Sequence, residues 1–122
     1  MELKKDESMT QNNSIILTTY YGKESINFDK ILRIEAISNY SKLYFTDGKT
    51  LVVSKVLQWF EGQLLGGQFI RVHRSHLINS VYISEYNKKG KQVIILKDNS
   101  FFTVSRRKQT VVRRLLENAM TA

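Results

Sequence analysis

The stretch ILRIEAISNYSKLYFTDGKTLVV, residues 31–53, decides the fold class. Ile31 to Ile37 and Leu43 to Phe45 are short runs rich in β-branched and aromatic side chains, the composition of strands. They flank the polar group Ser38-Asn39-Tyr40-Ser41-Lys42. Asp47-Gly48 then supplies a two-residue hairpin turn before Leu51-Val52-Val53, because such turns need residues that tolerate positive φ. Connections this short make neighbouring strands antiparallel, since a parallel crossover needs about a dozen residues.

The same pattern extends in both directions. Upstream, Ile15 to Tyr20 and Glu24 to Phe28 form a first hairpin around Tyr21-Gly22-Lys23. Met1 to Asn13 is polar and aperiodic, so residues 1–13 are expected to be a disordered tail and 14–122 a single folded domain. Downstream, Ser54 is expected to cap a helix over Lys55 to Leu65. Val56, Leu57, Phe60 and Leu64 fall there at helical spacing, Gly66-Gly67 supplies the stop, and Gly62 costs about 1 kcal/mol relative to Ala.

Val81 to Tyr86 and Gln92 to Lys97 are strands joined by Asn87-Lys88-Lys89-Gly90, and Phe101 to Val104 is the last strand. Ser105 then caps a C-terminal helix whose Val111, Val112, Leu115, Leu116 and Ala119 make one apolar stripe. The expected fold is mostly β with short α-helices, built from small antiparallel β-sheets.

The excess of positive charge lies wholly in the second half. Residues 1–70 hold eight Lys and Arg against eight Asp and Glu, whereas residues 71–122 hold eleven against three. Such asymmetry favours a polyanionic partner, because Lys and Arg displace counterions from phosphates. There is no Cys, hence no disulfide framework or thiolate metal site. No apolar run approaches the roughly 20 residues of a bilayer span, and the start carries no secretory pattern, so no membrane insertion and a cytoplasmic location are expected.

Catalysis finds no nucleophile and base in a recognisable arrangement. His73 and His76 are the only histidines, and a metal site on them lacks a third ligand. The expectation is a protein without enzymatic activity, metal or cofactor.

Three constellations suit an anionic surface instead. In Phe69-Ile70-Arg71-Val72-His73-Arg74-Ser75-His76-Leu77-Ile78-Asn79, donors alternate with apolar anchors, so Arg74, Ser75 and His76 are candidate phosphate contacts. Arg71 and His73 are expected to be partly buried and satisfied by carboxylates or carbonyls.

Arg106, Arg107 and Lys108 follow Ser105. In the first turn of a helix they would meet the unfavourable end of the macrodipole, an inconsistency of the kind found at anion sites; if the helix starts after Lys108, they form a basic loop. In Asn39, Tyr40, Ser41 and Lys42, amide, phenol and ammonium groups suit base edges and phosphates. Alternatively, Asn39 takes a left-handed turn and Tyr40 caps the core.

Together these segments resemble the LytTR DNA-binding family over nearly all of Ile15 to Met120. Ile34-Glu35-Ala36 with Asn39-Tyr40 is similar to its first signature, Asp47-Gly48 to its hairpin, residues 69–79 to its F-x-R-x-H-R-S-x-x-x-N stretch, and Val104-Ser105-Arg106-Arg107 to its closing motif. The resemblance implies elongated small sheets that bind double-stranded DNA through loops. Asn39 to Lys42 and Arg106 with its neighbours would enter successive major grooves, and Arg74 the intervening minor groove. It implies promoter direct repeats occupied by two copies of the protein.

Most members resemble response regulators with a receiver domain, for which this chain leaves no room. The expectation is a stand-alone transcription regulator controlled by expression level, the tail or a regulatory protein partner; some stand-alone members resemble half of a pair with a membrane-bound inhibitor. The competing reading is a basic interaction module that docks an acidic partner.

Overall fold

The computed structural model describes residues 13–64 and 68–121, with side chains as far as 117. The expected tail, apart from Asn13, and the Gly66-Gly67 stop lie outside these residues.

Among the described residues ten strands form three antiparallel sheets. β1 (Ser14–Thr19) and β2 (Gly22–Asn27) make a hairpin. A five-stranded sheet follows, in the order β5-β4-β3-β7-β6, from β3 (Ile31–Ile37), β4 (Tyr40–Phe45), β5 (Thr50–Val53), β6 (Phe69–His73) and β7 (His76–Asn79). β8 (Ile83–Asn87), β9 (Val93–Leu96) and β10 (Phe101–Thr103) make the third, with β9 in the middle. The short helices are α1 (Leu57–Gln63) and α2 (Gln109–Thr121). The mostly β fold with small antiparallel sheets is as the sequence predicts.

Each face of the five-stranded sheet carries its own core. On one face Ile31, Ile34, Leu43, Val53 and Leu77 pack with Ile15 and Leu17 of the first hairpin and Leu57 and Phe60 of α1. On the other face Leu32, Ile70, Val72 and Ile78 meet Ile94, Leu96 and Phe102 of the third sheet and Val112 and Leu116 of α2. Side chains alternate across a strand, so the consecutive residues Leu77 and Ile78 point into opposite cores. Each fully buried side chain of this size contributes about 1.5–3 kcal/mol, and a central sheet lets both layers gain from the same strands.

The local boundaries differ from expectation where tertiary contacts override propensity. Lys55 and Val56 stay extended, α1 begins at Leu57, and its N-cap is Val56, with no side-chain bond from Ser54. The reason is nearby: Ser41 Oγ donates to the Lys55 carbonyl at 2.5 Å, which holds that residue against β4. The last strand ends at Thr103 and not at Val104, whose amide instead bonds to Gln92.

Arg106–Lys108 form a 3-10 turn ahead of α2, with the Lys108 amide on the Ser105 carbonyl at 2.8 Å and no side-chain cap from Ser105. The three cations therefore precede the α-helix. In the expected stripe Val112 and Leu116 are buried, while Val111 and Leu115 are nearly half exposed; the Ala119 side chain lies outside the described residues. No helix among the described residues is long and apolar enough to cross a membrane.

Candidate nucleic-acid interface

One end of the five-stranded sheet gathers the turns that the sequence singles out. β3 runs into β4 there through Ser38-Asn39, closed by the Ile37 and Tyr40 pair. β6 runs into β7 through Arg74-Ser75, closed by His73 and His76. β7 pairs with β3, and the Ala36 amide donates to the Ser75 carbonyl at 2.9 Å, so the two turns are neighbours. β5 ends at the same edge, since Val53 pairs with Ser41 at the start of β4.

On the opposite flank the Ser105 amide donates to the Val72 carbonyl at 3.0 Å, which brings the Arg106–Lys108 turn beside the end of β6. A cleft there is lined by His73, Gly90, Lys91, Ser105 and Arg106. Three stretches far apart in sequence thus converge: antiparallel pairing returns the 38–39 and 74–75 turns to one edge, and the Ser105–Val72 bond docks the 106–108 turn beside them.

The candidate residues take different positions at this edge. Asn39 is exposed, and the left-handed residue of its turn is Ser38, with φ 56°. Tyr40 is half exposed and does not cap the core. Ser41 is fully buried, because β4 already begins at Tyr40 and the alternation turns Ser41 inward with Leu43. Lys42 is half-buried, its Nζ 5.1 Å from the Tyr44 ring centroid, a cation–π contact that leaves the ammonium on the outer face.

Arg74 is exposed at the tip of its turn and Ser75 is half-buried. His76 is turned inward, its ring 4.9 Å from Phe102 and 5.5 Å from His73. Burial holds its imidazole below the ordinary value; the Glu35 carboxylate opposes this, and His73 and Arg33 add to it. Arg106 and Arg107 are exposed and Lys108 is half-buried.

Arg71 and His73 behave as structural donors and acceptors, as their setting in the sequence suggests. The Arg71 guanidinium bonds to two carbonyls of the turn and to the Glu61 carboxylate, and His73 Nδ1 accepts the Ser75 amide at 3.1 Å.

The carboxylates near this edge are occupied. Glu61 pairs with Arg71, Glu117 with Lys88, and Glu35 accepts the Tyr44 hydroxyl at 2.7 Å. Among the described residues Arg74, Arg106 and Arg107 make no side-chain ion pair, so their charge faces solvent. Such an edge attracts a polyanion by counterion release and presents guanidinium groups that can bond bases bidentately.

Two further cations belong to it. Lys55 lies at the end of β5 with its Nζ 4.9 Å from the Trp59 ring centroid, and Lys91 lines the cleft beside Arg106. The helical spacing after Ser54 masked the first. The charge run around Gly90 was a usable signal for the second.

A family model described as the LytTr DNA-binding domain matches residues 22–117. Among solved structures, the chain is similar to the LytTr DNA-binding domain of a Bacillus cereus protein described as a methyl-accepting/DNA response regulator. That similarity has a TM-score of 0.72 at 25% identity and covers 84% of this chain and 95% of the other. No curated protein matches the sequence significantly.

Proposed function

Because the chain belongs to the LytTR DNA-binding domain family, we propose that it is a sequence-specific transcription regulator that binds double-stranded DNA through the turns at one edge of its five-stranded sheet. The family is defined by DNA binding and not by a catalytic activity. The observation that carries the proposal is the convergence of the 38–39, 74–75 and 106–108 turns, with the guanidinium groups of Arg74, Arg106 and Arg107 in no ion pair among the described residues.

Arg106 and Arg107 supply base readout and phosphate anchoring, and Arg74 sets the position of the protein in the neighbouring groove. Asn39, Tyr40 and Lys42 extend the contact beyond it. Loop-borne contacts of this width cover a short site, so promoter direct repeats occupied by two copies provide the specificity that one copy lacks.

Selection of bound duplexes from a random pool tests the reading. A repeated motif with half-sites about one helical turn apart is expected. Recovery of no preferred sequence, with equal affinity for scrambled duplexes, would overturn it.

A further inference from the structure

We infer that Arg71 and Glu61 form a positioning pair that holds the 74–75 turn for DNA recognition without touching DNA, an inference that rests on the reading of Arg74 as a contact. Arg71 sits in a stretch singled out for its basic and hydroxyl side chains, yet its own side chain is only 19% exposed. Each of its three guanidinium nitrogens is engaged: Nε donates to the His73 carbonyl at 3.0 Å, Nη2 to the Arg74 carbonyl at 2.5 Å, and Nη1 to Glu61 on α1. The remaining turn groups are also held, with the Ser75 amide on His73 Nδ1 and the Ser75 carbonyl on the Ala36 amide.

The arrangement uses the geometry of the guanidinium. A planar fork with donors on three nitrogens in fixed directions bonds two successive carbonyls and a carboxylate at once, whereas a lysine carries its donors on one rotating nitrogen and fixes no such directions. Glu61 cancels the Arg71 charge and fixes the fork from α1, so of the two arginines of this hairpin it is Arg74 that is left to face a partner. A side chain launched from a turn held by several bonds loses less freedom on binding than one from a loose loop. The pair also links α1 to the DNA-facing edge.

Removing Glu61 separates this role from simple electrostatics by sign. Loss of an acidic group near a polyanion tightens binding, whereas loss of the anchor weakens recognition. The test uses the full chain, titrated over a salt series against its selected duplex and a scrambled one.

Glu61→Gln is expected to lower affinity for the selected duplex by about tenfold, as contacts coupled in one network do. Affinity for the scrambled duplex should not fall. In an Arg74→Ala background the same change is expected to cost nothing further. Arg71→Gln should lose specific affinity with an unchanged salt slope, whereas removal of a phosphate contact would reduce the slope by about 0.9.

Should Arg71→Gln fail to fold, the Glu61 arm carries the test, since that side chain is 38% exposed. Equal or tighter specific binding by Glu61→Gln, an equal cost in both backgrounds, or a shallower slope in Arg71→Gln would overturn the positioning role alone. An Arg74→Ala protein with undiminished specific affinity would overturn the contact reading and this inference with it.

Discussion

The Ala36 amide donates to the Ser75 carbonyl at 2.9 Å, one backbone bond that ties the β3 strand to the turn between β6 and β7. Strand pairing ends there, and the side chains beyond it, on the 38–39 and 74–75 turns, are set a fixed distance apart. The spacing between these two candidate contact segments is thus a property of the sheet and not of flexible loops.

Arg106 stands at the other flank, exposed and in no ion pair among the described residues. Arg106→Ala is expected to lower affinity for the selected duplex by roughly 1 to 3 kcal/mol and to relax preference at one base position, as loss of a bidentate contact does. Anisotropy titrations against single-base variants of the site check both. Unchanged affinity would remove Arg106 from the interface.

Ser41 is expected to act through the fold. Its hydroxyl donates to the Lys55 carbonyl at 2.5 Å, and the residue is fully buried. Ser41→Ala should lower stability in urea by about 1 kcal/mol, the net worth of one such bond. The ratio of specific to nonspecific affinity should stay that of the wild type.

The contrast with Ser41 shows what the sequence made legible. Strands and the Asp47-Gly48 turn could be read directly, because period-2 patterning and turn chemistry are local. The polar run 38–42 concealed that Tyr40 already opens β4, so alternation sends Ser41 inward, a fact visible only once the register with β3 is known. The start of α2 was ambiguous for a similar reason. Bonding of Ser105 to Val72 sets the 3-10 turn ahead of the helix, and this partner is 33 residues away. Arg71 was legible as a satisfied, half-buried group, but its hold on Arg74 depends on the folded turn.

Asn79 is completely buried, donates to the Ile31 carbonyl at 2.8 Å, and accepts from the Val81 amide and Gln68 Nε2. Asn79→Leu, similar in size but without these bonds, is expected to cost about 3 kcal/mol, since buried partners left unsatisfied carry the penalty. A lower urea midpoint with an unchanged m-value checks it.

His76 makes stability depend on pH. Burial lowers its pKa in the folded protein below the unfolded value of about 6.5, so the unfolded chain binds more protons between those two values. The contribution of the neutral ring is complete above 6.5 and is lost as pH falls through the folded pKa. Urea titrations from pH 7.5 downward should show a stability loss that is reduced in His76→Gln. An identical slope in both proteins would show that other groups cause it.

β7 is apolar toward both of its sides, with Leu77 in one core and Ile78 in the other. Sliding the strand by one residue would still bury oily groups above and below, so greasiness by itself is a poor ruler for its alignment. The ruler is the amide of Asn79, which is bonded to the Ile31 carbonyl in this register and would lose that partner on a slip. A residue remote from any duplex thereby dictates where along the sheet the chain reverses, and so which side chain stands at the tip.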